Sequence, residues 1–404
     1  MKKNAAIAVV GTFDSKAEEH FFLKVRIEQN GLPVLTINVG TKGPSPSPVS
    51  IDLYELMHNN GKLNYESRDE AIYAMIEEAK TQIKQLHNDG EICGIISAGG
   101  GTGTHLCTRI MHELPLGVPK VMISTVASRD MTNTVGTKDI AMIHSVADLL
   151  GVNSVSGIIL DHAAAGICGM VQSHWRPQES KKRIALPFFG FITEGAEATK
   201  YALEDLGYEV VAFHANGTGG MAMEELAVEG YFDGILDLAT HELADDLKDG
   251  YCGGIGPERF QPVPGRFLPR LIVPGGLDCA VLEFTRHDVP DQYKDRKIFF
   301  YDFRSAIRLN VEETTLLAEQ LSAKLNQGPT DIKVLIPIKG WSEADREGGS
   351  LYDPDMNQLF TQRLKQLLNP QIEIQEVDHH INDAVFGEIA AKVMDEMVRN
   401  KQQG

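Results

Sequence analysis

A glycine-rich segment, SAGGGTGT at residues 97–104, is the strongest chemical signal in this sequence. It follows the apolar run 92–96, so it lies where a buried strand would end and a helix would begin. Glycines let a backbone approach a ligand closely, and the first N–H groups of a helix bind anions. The segment predicts a phosphate-binding turn, with a tight turn of no further function as the alternative; its candidate residues are Gly99, Gly100, Gly101, Thr102, Gly103 and Thr104.

Two more polar segments follow apolar runs in the first half, GTFDSK at 11–16 and STVASR at 124–129. Their hydroxyl groups can donate hydrogen bonds, and Lys16 supplies a positive charge. Asp14 fits either a helix N-cap or a partner of Mg²⁺ or of a ribose hydroxyl. Ligands of open α/β sheets bind beyond the carboxyl ends of strands, so we expect these segments to converge on the glycine turn. The candidate residues are Gly11, Thr12, Asp14, Lys16, Ser124, Thr125 and Ser128.

The second half repeats the order of strand, glycine turn and helix in FHANGTGGMAME at 213–224. His214 fits a general acid–base or a metal ligand, although a single histidine at a strand end is more often structural. Glu242 and Asp278 follow two further apolar runs. Together with His214 and His241 they form a candidate set for a divalent metal, which no HxH or HExxH spacing supports.

The elements that must position these residues alternate between short apolar runs and longer helical patterns. Near-continuous apolar runs at 7–10, 34–39, 92–96 and 121–123 are typical of parallel strands covered on both faces. Helices are expected at 16–29, 69–86 and 139–150. The polar segment 173–183 interrupts this rhythm, so we place a domain boundary near residue 180, with a surface loop in one large domain as the alternative.

The pattern then continues to the end of the chain. Strands are expected near 184–189, 210–213, 298–301, 334–337 and 372–377, and helices near 195–206, 312–325, 354–368 and 383–399. The sequence therefore predicts an α/β protein with two doubly wound, Rossmann-like parallel-sheet domains and a cleft between them. The N-terminal domain, which would bind nucleotide, covers 1–180, and the C-terminal domain covers 181–404.

Composition excludes several classes of function. The 404 residues carry 38 Lys and Arg against 56 Asp and Glu, a net charge of −18, so binding to nucleic acid or to an anionic membrane surface is not expected. No apolar stretch approaches the ~18 residues of a membrane span. The five cysteines form no CxxC pair, which favours free thiols in the reducing cytoplasm.

Six long segments together resemble one known family. They are GTFDSKAEEHFFL, SAGGGTGTHLCTRIMHELPLGVPKVMISTVAS, VGTKDIAMIHSVADLLGVN, FHANGTGGMAMEELAVEG, LDLATHELADDLKDGYCGGIGPERF and VPGGLDCAVLEF. The sequence is similar to the ATP-binding domain family typified by the tomato mosaic virus resistance protein of tomato. The resemblance implies an N-terminal domain that binds ATP with Mg²⁺ through the three loops above, a second α/β domain, and a homo-oligomer, with a dimer expected.

The sequence departs from that family pattern at three places. Arg129 stands where the family has a smaller residue, and Ser97-Ala98 replaces a glycine-rich or aliphatic lead-in. The His-Asn-Pro stretch expected around residues 301–304 is absent. The absent His-Asn-Pro stretch bears on any function of the segment around residues 301–304, and bears less on the nucleotide loops.

Two functions follow as hypotheses. The first is an ATP- and Mg²⁺-binding protein that couples the nucleotide to recognition of a protein partner or a metabolite. No lysine follows the glycines as in GxxxxGK[ST], which argues against rapid hydrolysis by the usual route. The alternative is an enzyme acting on a small phosphorylated or carboxylated metabolite in the inter-domain cleft, with His214, Glu242 and Asp278 as acid–base groups or Mg²⁺ ligands.

Overall fold

The protein is described by a computed structural model that covers residues 5–62, 65–175 and 181–400. The chain divides into two compact units, residues 1–176 and 177–404. The predicted boundary near residue 180 lies outside the described residues. The cleft between the two domains stays a prediction.

The first unit contains a six-stranded parallel sheet flanked by helices. Its strands are β1 Ala6–Gly11, β2 Val34–Asn38, β3 Ile51–Asp52, β4 Ile92–Gly99, β5 Lys120–Ser124 and β6 Ile140–His144. Its helices are α1 Phe13–Gln29, α2 Leu53–Asn59, α3 Arg68–Asn88, α4 Gly101–Met111, α5 Thr132–Val135 and α6 Ser156–Val171.

Alternating side chains of β1 show how this sheet is covered on both faces. Ala8 and Val10 belong to a core built with α2, α3 and α4. Ile7 and Val9, one residue out of phase, belong to a second core built with α1 and α6. Successive strand residues point to opposite faces, so a strand buried on both must be apolar throughout, as these runs are.

The strand order of the first sheet is β3-β2-β1-β4-β5-β6. The chain runs outward from β1 to β2 and β3, then crosses back to place β4 on the other side of β1. The order therefore reverses between β1 and β4, and such a reversal leaves a crevice at the carboxyl ends of the two strands.

The second unit holds another parallel sheet of six strands, in the order β15-β14-β10-β9-β7-β8, and a small antiparallel sheet in the order β11-β13-β12. The strands are β7 Arg183–Phe188, β8 Glu209–His214, β9 Gly234–Ala239, β10 Arg270–Gly275, β11 Cys279–Leu282, β12 Ile298–Phe300, β13 Ser305–Arg308, β14 Ile332–Pro337 and β15 Glu373–Val377. The helices are α7 Thr193–Asp205, α8 Thr218–Val228, α9 Glu242–Leu247, α10 Val311–Leu325, α11 Pro354–Leu367 and α12 Ala384–Asn400. Two parallel sheets with helices confirm the predicted α/β, Rossmann-like class.

One predicted element is wrong, and one predicted strand pairs differently from its neighbours. The helix expected at 139–150 is the edge strand β6, which pairs in parallel with β5. The spacing of Ile140, Ile143 and Leu150 imitates a helical stripe, but sheet pairing decides the conformation, and Leu150 is 94% exposed. The strand near 298 does not continue the parallel pattern, because β12 pairs antiparallel with β13.

All five cysteines fall within the described residues, and all are buried free thiols: Cys93, Cys107 and Cys168 in the first unit, and Cys252 and Cys279 in the second. Burial raises the pKa of each thiol, that of Cys107 to about 12. Among the helices of the described ranges, none has the length and apolar character to cross a membrane.

Candidate functional site

The segments that follow β1, β4 and β5 lie at one edge of the first sheet. β1 pairs with β4, so Gly11 and Gly99 end neighbouring strands on either side of the reversal in strand order. β5 is the next strand, with Ser124 beside Gly99. The structure therefore brings the three predicted segments together where open α/β sheets bind ligands.

Gly11 is required by a histidine that the sequence did not single out. A Cβ on Gly11 would lie 1.8 Å from Nε2 of His20, whose ring is buried. The Ala98 N–H donates to Nε2 at 3.4 Å, which leaves Nδ1 to donate to the Lys16 carbonyl at 2.6 Å. Burial lowers the pKa of His20, in keeping with this neutral form. His20 thus ties β4 to the start of α1.

Thr12, Asp14 and Lys16 lie at the start of α1. The helix begins at Phe13, so Thr12 occupies the N-cap position and the N-cap role considered for Asp14 is wrong. Asp14 Oδ2 accepts the Lys42 N–H at 2.9 Å, while Oδ1 is buried and has no partner among the described residues. The Lys16 ammonium donates to the Leu149 carbonyl.

The glycine turn opens directly into α4, which begins at Gly101. Gly99 is required by packing, because a Cβ there would lie 3.0 Å from the Gly103 Cα. Gly101 and Gly103 are different: apart from adjacent residues and the backbone of α4 itself, a Cβ on either would meet no atom of the described chain within 4 Å. The first turn contains no acidic residue, and no described side chain caps it. These first N–H groups of α4 therefore have no intrahelical acceptor.

The hydroxyl groups around this turn differ in burial and in whether they already have a hydrogen-bond partner. Thr104 and Ser124 are buried, and their hydroxyl oxygens lie 2.6 Å apart, so each is the other's partner. Thr125 donates its backbone N–H to the Gly99 carbonyl at 3.1 Å, and Ser128 is exposed. Only the more exposed hydroxyls are therefore placed to meet a ligand directly.

Arg68 is a cation at this edge that the sequence reasoning missed. It is the first residue of α3, and its Nη2 donates to Thr102 Oγ1 on the first turn of α4 at 3.5 Å. The contact joins residues 34 positions apart, so no local spacing could have found it. A guanidinium here adds positive charge beside the uncapped helix end.

In the glycine turn of the second unit, glycine is required by packing within the protein. A Cβ on Gly217 would lie 2.2 Å from the Gly253 carbonyl oxygen, and one on Gly219 would lie 1.9 Å from that of His214. A Cβ on Gly220 would lie 2.6 Å from a Glu242 carboxylate oxygen. Contacts within the protein alone therefore require these three glycines.

Glu242 belongs to a buried ionic network around Arg259. The Arg259 guanidinium donates to Glu242 at 2.9 Å, to Asp237 at 2.7 Å and to Glu224 at 3.1 Å, and Arg270 also donates to Glu224. The second oxygen of Glu242 accepts the Gly217 N–H at 2.8 Å. Burial raises the pKa of Glu242, and Arg259 acts against that rise. This network holds the turn before α8 in place.

His214 and Asp278 lie in contrasting surroundings. His214 is exposed at the end of β8, and partial burial together with the charge of Arg304 lowers its pKa. Asp278 is buried, and its Oδ2 accepts from the Ser342 hydroxyl at 2.9 Å. Burial, assisted by Asp345, raises the pKa of Asp278 to about 7. The catalytic roles of these residues and of Glu242 stay predictions.

His241 is buried with its ring stacked on Phe189, the two centroids 3.7 Å apart. Neither ring nitrogen has a hydrogen-bond partner in residues 5–62, 65–175 and 181–400, and burial lowers its pKa to about 3. Within those same ranges, no three His, Cys, Asp or Glu side chains form a group able to hold a metal ion. The structure therefore does not assemble His214, His241, Glu242 and Asp278 into a ligand set.

The fold defines an α/β protein with two parallel six-stranded sheets, one in each unit. Two family models match the chain, the N-terminal domain of UPF0261 at residues 5–176 and its C-terminal domain at 181–398, both described as an uncharacterised protein family. This chain belongs to the UPF0261 family.

Relatives are known from bacteria and from a plant. The chain is 35% identical over 403 residues to a UPF0261 protein of Clostridium tetani, covering 98% of this chain and 99% of that one. It is 35% identical over 394 residues to the UPF0261 protein RA0729 of Rhizobium meliloti, covering 95% and 97%. It is 30% identical over 408 residues to the ToMV resistance protein Tm-1(GCR237) of Solanum lycopersicum, covering 93% of this chain and 54% of the tomato protein.

Proposed function

We propose that this protein binds ATP with Mg²⁺ at the carboxyl edge of its first sheet and couples that binding to recognition of a partner or metabolite. The phosphates lie on the glycine turn, against the first N–H groups of α4. The nucleotide is named from the resemblance of the three loops to the ATP-binding domain family.

One observation carries the phosphate site: the first turn of α4 has no side-chain cap among the described residues, and two glycines, Gly101 and Gly103, leave its backbone open. Both lie in the helix, without a positive φ and without a neighbour that a Cβ would meet within 4 Å in the described chain. Glycine in a helix costs about 0.5–1 kcal/mol relative to alanine. Without side chains at Gly101 and Gly103, a ligand can approach this backbone closely.

Asp14 is the group best placed to bind the cation. Asp14 lies in the first turn of α1, where its Oδ2 accepts the Lys42 N–H and its Oδ1 is buried without a partner among the described residues. Mg²⁺ is bound through one or two carboxylates together with substrate phosphates and water. The bound cation would neutralise charge on the phosphates, and the chain's own part is to orient that carboxylate.

Thermal unfolding of the full chain with Mg-ATP tests the proposal. A ligand that binds only the native state adds about 2.7 kcal/mol at ~100 times its Kd, so wild type should unfold at a higher temperature. Gly101→Ala should stabilise the unliganded protein by ~0.5–1 kcal/mol and weaken its response to Mg-ATP.

Gly166→Ala is the matched control, because Gly166 also lies in a helix, α6, with nothing within 4 Å of a Cβ in the described chain. It should stabilise the protein to a similar degree and leave the response to Mg-ATP unchanged. No shift of wild type in millimolar Mg-ATP would reject the proposal. An undiminished shift in Gly101→Ala would reject the glycine turn as the phosphate site.

A further inference from the structure

A groove between α3 and α4 opens beside the glycine turn. It encloses about 520 Å³ and is lined by Asp69, Glu70, Ile72, Tyr73, Ile76 and His105. Sites for small ligands commonly measure 300–1,000 Å³ and combine apolar walls with a few polar groups. Tyr73 is 68% exposed, so its ring is accessible to a ligand in the groove.

Contacts between the two helices show that the groove and the turn are adjacent. Arg68, which precedes Asp69, donates to Thr102 in the first turn of α4. His105 follows Thr102 by three residues, which places it on the same side of α4 and ~4.5 Å further along the axis. A ligand whose anionic end lies on the glycine turn can therefore extend its other end into the groove.

We infer that this groove receives the base of the nucleotide, and that Asp69 accepts a hydrogen bond from its exocyclic amino group. The inference rests on the proposed function, in which the glycine turn binds the phosphates. It adds a binding site for the base at the other end of the nucleotide. Tyr73 and His105 supply ring faces, and Ile72 and Ile76 supply the apolar floor. Aromatic rings stack on bases with little regard to sequence.

Charge sets the direction in which the ligand lies. Asp69 and Glu70 are both acidic, so the groove repels a triphosphate, while the uncapped turn and Arg68 attract it. The Ser67 hydroxyl and nearby backbone N–H groups hold the pKa of Asp69 below its usual range, so this carboxylate is charged at neutral pH. Glu70 accepts the Glu66 N–H through one of its two oxygens. Asp69, which directly follows Arg68 in the chain, is the groove carboxylate that we assign to the base.

Binding of three magnesium-loaded ligands to the full chain, measured by titration calorimetry, separates the two halves of the site. Inosine triphosphate lacks the exocyclic amino group of ATP, and inorganic tripolyphosphate lacks the base and sugar. Wild type should bind ATP about tenfold more tightly than inosine triphosphate, since hydrogen bonds to charged groups are the stronger ones. Tripolyphosphate should bind more weakly than either.

Two variants and their controls assign the effect to the groove. Asp69→Asn should remove the preference for ATP over inosine triphosphate and leave tripolyphosphate binding unchanged, and Tyr73→Ala should weaken both nucleotides about tenfold. Asp89→Asn, at the other end of α3, and Tyr201→Ala, exposed on α7, should bind as wild type does.

The outcomes distinguish this inference from the function on which it rests. If tripolyphosphate binds but the nucleotides bind no better, or if Asp69→Asn and Tyr73→Ala match their controls, the groove does not hold the base and the phosphate site stands. If none of the three ligands binds wild type, both the groove and the proposed function are rejected.

Discussion

The glycines of the two turns differ in whether packing within the protein requires them. At Gly217, Gly219 and Gly220 a side chain would collide with atoms of the protein itself, so the fold alone accounts for the residue type. At Gly101 and Gly103 there is open space, and the fold gives no reason for the choice. The two turns look alike in the sequence, and only the surrounding contacts tell a structural turn from one that is open to a ligand.

Asp278 provides a test of stability against pH. Burial raises its pKa to about 7 from an unfolded value of 3.8, so between these values the native state holds a proton that the unfolded chain has lost. The contribution of the Asp278 carboxyl to the free energy of unfolding is fully present below pH 3.8. It is lost as the pH rises through about 7. Asp278→Asn should therefore flatten the fall in stability with rising pH, by at most ~1.4 kcal/mol per pH unit.

Urea unfolding at about pH 5 and about pH 7 measures that slope. The exposed Asp205→Asn should keep the slope of wild type. An Asp278→Asn variant with the wild-type slope would show that this carboxyl titrates alike in both states. His241 acts in the opposite direction, because its pKa is lowered to about 3 and its contribution is lost only as the solution becomes acid.

The sequence located the site loops better than their partners. The segments around Gly99 and Thr12 were recognisable because their glycines and hydroxyls are contiguous. His20 and Arg68 were not, since each acts through a contact with a distant residue, Ala98 in one case and Thr102 in the other. Pairing of Thr104 with Ser124 was equally hidden, because it joins the ends of different elements.

At the scale of elements, close helix contact explains a further glycine. α7 and α12 pack together, and a Cβ on Gly387 would lie 2.8 Å from the Thr199 nitrogen and 2.9 Å from the Ala198 Cβ. Gly387→Ala should destabilise the protein by about 1–3 kcal/mol, because overpacking outweighs the better helix propensity of alanine. Urea unfolding measures the difference.

The same Gly166→Ala variant that controls the nucleotide experiment serves here as well. Its Cβ enters open space in the described chain, so it should raise stability where Gly387→Ala lowers it. Equal stabilisation by both substitutions would mean that α7 and α12 adjust to a side chain without cost. That result would contradict the close contact on which the prediction rests.

Elements were predictable where length and periodicity agreed. Helices such as α1 and α10 and the buried strands β1 and β4 lie within a few residues of their expected places. β6 was not predictable, because its five residues follow a stripe that suits either conformation and only pairing with β5 decides between them. The antiparallel pairing of β12 with β13 depends likewise on contacts that a linear pattern does not contain.

At the scale of the whole molecule, alternation of strands and helices is enough to predict parallel sheets, but not the order of their strands. That order places β1 beside β4 in the first sheet and β7 beside β9 in the second. Where each chain path reverses depends on the packing of helices over both faces. The position of the candidate site at the first reversal is therefore a product of topology rather than of any local motif.

The five buried thiols can report local unfolding of the two units. Each thiol becomes reactive only when its surroundings separate, since a thiolate at neutral pH requires exposure to water. The first unit would be followed through Cys93, Cys107 and Cys168, and the second through Cys252 and Cys279. With a thiol reagent in excess, Mg-ATP should slow modification of the first group and leave the second unaffected, as peptide mass analysis would measure. Equal protection of both groups would mean that Mg-ATP binding also stabilises the second unit against opening.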